Sequence, residues 1–188
     1  MRDSDPIVQV GDPVLRAQAR EVPVGDITTP RIQRVIRQMK EVLAAEPNGA
    51  AIAAPQIGVS LRIFVISRRI LTRPDGTPAS DDLVCVNPRI IKQARRKVKM
   101  DEGCLSVRGV YGYTLRAPRA TIEAYNERAE KFVRGASGLL AQAFQHEIDH
   151  LNGTLFIDHA LEVWEVPERE TAAEEGLAGE TKSDEPTA

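Results

Sequence analysis

The sequence predicts an α+β fold: short antiparallel strands around a central helix, with an N-terminal helix packed alongside. Three observations predict it. An early stretch has apolar residues at helical spacing, a second such stretch lies near position 145, and between them stand short apolar runs bounded by turn residues. A chain of 188 residues with a 42% hydrophobic fraction can build one such core, as one domain or one domain plus a tail.

Residues 29–46 read as the first helix. Ile32, Val35, Ile36, Met39 and Leu43 recur at helical spacing, Pro30 suits the first turn, Thr28 or Thr29 caps it, and Pro47-Asn48-Gly49 ends it. The run GAAIAAPQIG (49–58) is built of small residues, which let backbone approach backbone or ligand. LRIFVI (61–66) is a strand, and RPDGTPASDD (73–82) is a polar loop with Pro-Asp-Gly as its turn. LVCVNP and RIIKQA are two further strands, ATIEAYN (120–126) is another, and RAEKF (128–132) leads into the next. The second helix spans 137–151 and closes at Asn152-Gly153. Leu140, Phe144, Ile148 and Leu151 form its apolar stripe, beside a second stripe of Leu139, Ala143, His146 and His150. The composition turns acidic and poor in large apolar residues at Glu165, so we divide the chain into a domain, 1–164, and a disordered acidic tail, 165–188.

Composition also excludes function classes. A net charge of −2 gives no field that would gather nucleic acid, and no apolar run is long enough to span a bilayer. The start MRDSDPIVQV lacks the apolar core of a secretory signal and carries two early aspartates, so a cytoplasmic location is expected. In that compartment Cys85 and Cys104 are expected as free thiols or a metal ligand rather than a disulfide.

The chain holds 3 histidines, and two of them stand in QHEIDH, 145–150. On a helix His146 and His150 share a face and can reach one cation, while Glu147 sits where it can handle the proton of a water on that cation. A catalytic metal needs a third protein ligand and an open position. His159 has the wrong spacing, Phe156 stands where some proteases carry a third histidine, and Glu170 lies in the polar tail. Cys104 remains, in the polar setting of Asp101, Glu102, Gly103 and Ser106, whereas Cys85 in LVCV reads as a buried structural residue.

With GAAIAAPQIG (49–58), EGCLS (102–106) and QHEIDH (145–150) in that order, the chain resembles the peptide deformylases, and IVQVGDPVLRAQAREVP is similar to the way those enzymes begin. The resemblance covers about residues 6–160. It implies a hydrolase of protein biosynthesis that removes the formyl group from N-formylmethionyl nascent peptides and releases formate, opening N-terminal methionine processing. It implies one divalent metal ion held by Cys104, His146 and His150, with Fe2+ expected in the cell and Zn2+, Ni2+ or Co2+ as substitutes. It makes Glu147 the general base and acid, and Gln56 and the Leu105 N–H the donors to the oxyanion. Ala51, Ile52, Gly103, Tyr111, Leu139, Gln142 and Ala143 become the residues expected to bind substrate, with 49–58 pairing to the peptide as an added strand. Some members dock on the ribosome through a basic C-terminal helix, a contact that the acidic 165–188 does not support.

The chain departs from the family pattern at four places. Ala51 and Ile52 replace a glycine and a leucine, Arg108 a common proline, Tyr111 a common substrate-holding arginine, and Gln142 a branched apolar residue. The alternative reading is therefore a deformylase-like amidohydrolase or metallopeptidase with altered substrate preference. A binding protein without catalysis would have no use for Glu147.

Overall fold

The computed structural model describes residues 5–72, 76–77 and 79–166. Its elements run α1 (Pro30–Ala45), β1 (Ala51–Ala53), β2 (Ile63–Ile66), β3 (Leu83–Gln93), β4 (Val98–Gly103), β5 (Val110–Arg116), β6 (Arg119–Tyr125), β7 (Lys131–Ser137), α2 (Gly138–Leu151) and β8 (Glu162–Glu165), with short 3-10 turns between them. This is the α+β arrangement expected. Every strand pairing is antiparallel. One sheet has five strands in the order β1-β2-β3-β6-β7, the other three in the order β4-β5-β8.

The period of two along a strand divides the core. Ile52, Ile63, Val65, Val84 and Val86 face one side of the large sheet, where α1 packs Ile32, Ile36, Met39 and Leu43 against them. Ala51, Ala53, Phe64, Ile66, Cys85, Ile122 and Ala124 face the other side, against Ala143, Phe144, Ile148 and Leu151 of α2. The large sheet is thus buried on both faces over its central strands, and α2 lies deep in the molecule.

Several expectations needed correction in detail. LVCVNP and RIIKQA form one strand, β3, rather than two. Asn87 takes a left-handed φ of 51°, and the register against β6 shifts between Val86 and Arg89. Asn87 sits at this kink because its side chain bonds both backbone groups of Val22, donating to the O at 2.7 Å and accepting from the N at 2.8 Å. Thr29 precedes α1, but its hydroxyl donates to the Asp26 carbonyl instead of capping the helix. Strands β4, β5 and β8 were not foreseen. They bury a single face, and VKMDEG and EVWE are too charged to read as strands. Glu165 ends β8 and the Val166 N–H donates to the Gly109 carbonyl at 2.7 Å, so ordered structure runs two residues past the expected boundary. Residues 167–188 of the expected tail, Glu170 included, and Pro74-Asp75 of the expected turn lie outside the described residues.

Gly153 closes α2 as expected, with φ 75°. A Cβ there would lie 2.4 Å from the Arg16 carbonyl oxygen, so only glycine fits this helix end.

Candidate metal centre

Helix α2 brings His146 and His150 to one face because 3.6 residues make a turn. His146 and His150 point away from the large sheet, towards the segment that follows β4. That segment carries Cys104, whose Sγ lies 3.2 Å from His150 Nε2. The ligand atoms of Cys104, His146 and His150 all lie within 4.8 Å of one another. One sulfur and two imidazoles suit a borderline divalent transition metal, and three protein ligands leave a position for water or substrate.

The neighbours of this triad fit a cation. His146 Nδ1 donates to Glu102 Oε1 at 2.6 Å, which leaves Nε2 for the metal. Glu102 is in turn held by Thr114 Oγ1 at 2.5 Å and by Arg116, whose Nε and Nη2 reach it at 2.9 and 2.6 Å. Arg116 Nη1 continues to Asp149 at 2.5 Å, and His159 Nε2 lies 3.3 Å from the same oxygen. Burial raises the Glu102 pKa, but its bonds from His146 and Arg116 outweigh burial and hold the carboxyl well below the usual range. Burial lowers the pKa of His146, yet Cys104 and Glu102 raise it well above the ordinary value. Their combined field favours positive charge at this spot, and a divalent cation satisfies it. His150 goes the opposite way: burial, with the His146 charge adding to it, keeps its ring neutral, as a ligand requires.

Glu147 is 3% exposed, and its Oε2 is one of two buried side-chain polar atoms with no partner among the described residues, the other being His150 Nδ1. Burial is the main cause that lifts the Glu147 pKa to about 7, opposed by the His146 charge. Gln56, 1% exposed, is fixed at both ends. Its Oε1 accepts from the Ala53 N–H at 2.8 Å, and its Nε2 lies 3.2 Å from Ser106 Oγ and 3.6 Å from Cys104 Sγ. The Leu105 N–H has no acceptor among the described residues, while its carbonyl accepts from Gln9 Nε2 at 3.0 Å.

These groups open onto a cleft of about 710 Å³. Gln56, Cys104, Leu105, His146 and Glu147 line it, and so do Ala51, Gly103, Tyr111, Leu139, Gln142 and Ala143. Ile52 does not. The strand alternation turns its side chain to the α1 side, fully buried, so of the residues expected at the substrate site its side chain alone does not line the cleft. Ala51 has no positive φ, so replacing a glycine here adds no backbone strain. Tyr111 lies across β4 so closely that a Cβ on Gly103 would meet its ring at 2.9 Å.

Reading the sequence missed three features. Glu102 sits in EGCLS, where its carboxyl beside a ligand segment was the available signal. Arg116 gave no signal, because its partner stands on another strand. Arg108 looked like a simple departure, but its guanidinium bridges Asp5 and Glu46, with bonds of 3.0 and 2.8 Å, and closes one end of the cleft.

A family model described as polypeptide deformylase matches residues 4–164. A peptide deformylase of Carboxydothermus hydrogenoformans is 42% identical over 155 residues, 82% of this chain and 91% of that protein. One of Halothermothrix orenii is 40% identical, over 85% and 95%. Among solved structures, the peptide deformylase of Legionella pneumophila superposes with a TM-score of 0.71 at 34% identity, covering 91% of both chains. The Met-Ala-Ser-bound class I type b peptide deformylase of Acinetobacter baumannii gives 0.73 at 28% identity, covering 82% of this chain and 96% of that one.

Proposed function

This chain belongs to the peptide deformylase family, and we propose that Cys104, His146 and His150 are the ligands of its metal and Glu147 its general base and acid. It is a metal-dependent hydrolase that removes the N-terminal formyl group from N-formylmethionyl peptides. The observation that carries the residue assignment is the convergence of the three ligand atoms within 4.8 Å at the wall of a cleft that also holds the unpartnered Glu147 carboxylate.

When bound, the ion polarises the scissile carbonyl and acidifies the attacking water. Glu147 takes the proton of that water and delivers it to the leaving amine, a role suited to a carboxyl whose pKa burial lifts to about 7. Gln56 Nε2 and the Leu105 N–H donate to the oxyanion. Gln56 is held in place beforehand by Ala53 and Ser106, and the Leu105 N–H has no competing acceptor among the described residues. Glu102 fixes the ring plane and tautomer of His146. β1 is the edge strand of the large sheet, which leaves one side of its backbone free to pair with the extended peptide. Tyr111, Gly103, Leu139, Gln142 and Ala143 then line the path of the peptide and its first side chain.

Fe2+ is the ion we assign in the cell, with Zn2+, Ni2+ and Co2+ competent in its place, since sulfur and imidazole serve all of them. We place the enzyme in the cytoplasm, where nascent peptides carry the formyl group. No helix of the described residues is long and apolar enough to cross a membrane. We assign the activity to the domain of residues 1–164, whose last strand runs on to Glu165, and the acidic composition that follows does not favour a contact with the ribosome. The test of the ligand set is metal content. The purified chain should hold one metal ion per molecule, and Cys104→Ala and His150→Ala should each hold far less while remaining folded. Full metal content in both variants would remove the assignment.

A further inference from the structure

Gln142 is a polar residue built into the wall of the cleft beside the metal centre. It stands one turn before His146 on α2, with Ala143 beside it and Leu139 a turn earlier, and all three line the cleft. A formyl carbon held at the metal centre therefore places the adjoining side chain along these turns. Gln142 is 7% exposed. Its Nε2 donates to the Asp101 carbonyl of β4 at 2.6 Å. A carbonyl only accepts, so this bond sets which end of the amide is nitrogen and leaves Oε1 as the outstanding group. Oε1 accepts no hydrogen bond from the described residues, yet it is not among the buried atoms shut off from solvent. Within a residue so buried, that leaves the cleft as the side from which Oε1 is reached.

An apolar side chain entering here strips water from Oε1 and gives nothing back, whereas one ending in an N–H or O–H restores the bond. Ala143 widens the pocket beside it, because a methyl stands at that position. We infer that Gln142 is a specificity-determining residue of this site and that its free Oε1 selects first side chains ending in a hydrogen-bond donor, beyond formyl-methionine. The inference rests on the deformylase reading and sharpens it.

The experiment compares formyl-Gln-Ala-Ser with formyl-norleucine-Ala-Ser, two side chains of similar length, using formyl-Met-Ala-Ser as the activity control. Metal-loaded wild type and Gln142→Met are assayed for formate release. Binding of the corresponding product peptides Gln-Ala-Ser and norleucine-Ala-Ser is measured by calorimetry on both. Wild type should use the glutamine peptide at least as well as the norleucine peptide, and Gln142→Met should lower that ratio by about tenfold or more. The product peptides should show the same shift in Kd, so a variant that lost turnover would still report. A wild type that prefers norleucine by a hundredfold, or a ratio that Gln142→Met leaves unchanged, overturns the inference. Release from formyl-Met-Ala-Ser separates these results from failure of the deformylase reading, which would show as no release from any peptide.

Discussion

Gln56 shows how much a single residue can be read from its neighbours in sequence. Following a run of small apolar residues, it was expected to be sheltered, and it is 1% exposed, with its carbonyl end tied to Ala53 and its amine end turned to Ser106 and Cys104. Removing one pre-placed donor to an oxyanion costs about 10²–10³ in kcat. Gln56→Ala should therefore lose about that factor in steady-state formate release while keeping its metal. A loss confined to KM would assign Gln56 to ground-state binding instead. The pairing of His146 with His150 was legible from local spacing and that of Cys104 with them from residue type and its polar setting, and the structure brings the three ligand atoms within 4.8 Å of one another. The burial of the Ile52 side chain was not legible, because the side of a strand that a residue faces depends on which sheet face meets which helix, and the three residues of β1 are all buried. Arg116 was illegible because its partner Glu102 lies on β4, opposite Gly112 across the ladder.

At the scale of elements, α2 is held as a ligand platform from two sides. Phe144 and Leu151 anchor it to the large sheet, and the chain from buried Glu102 and Arg116 to half-buried Asp149 anchors it to the small one. The helix thus links the two sheets, by apolar packing to the large one and by ion pairs to the small one. The carboxyl of Glu102 is depressed in the folded state, so its contribution to stability is present above its unfolded pKa and fades as pH falls below about 4.5. Chemical denaturation at pH 7 and at pH 3.5 should show wild type losing stability over that interval, and Glu102→Gln losing less of it. At neutral pH Glu102→Gln should be destabilised by roughly 1–3 kcal/mol, since Arg116 keeps Asp149 but loses a charged, buried hydrogen-bond partner. Equal pH dependence in the two proteins would remove Glu102 from the account. Both helices and the inner strands of the large sheet were legible from apolar periodicity. The small sheet was not, because one-sided burial at the edge of the fold leaves no continuous apolar signal.

The whole molecule is a two-sheet shell around one helix, with the reactive groups at a cleft between the sheets. The segment around Cys104 links them, and Arg108 ties that segment to Asp5 at the start of the described chain and to Glu46 at the end of α1. The central claim is that this arrangement hydrolyses a formyl amide with Glu147 as the proton carrier. The most direct measurement is formate release from formyl-Met-Ala-Ser by protein purified without oxygen and loaded with Fe2+, beside Glu147→Ala loaded to the same metal content. The account predicts rapid release by wild type and a loss of at least about 10² in the variant. Undiminished release by Glu147→Ala would contradict it.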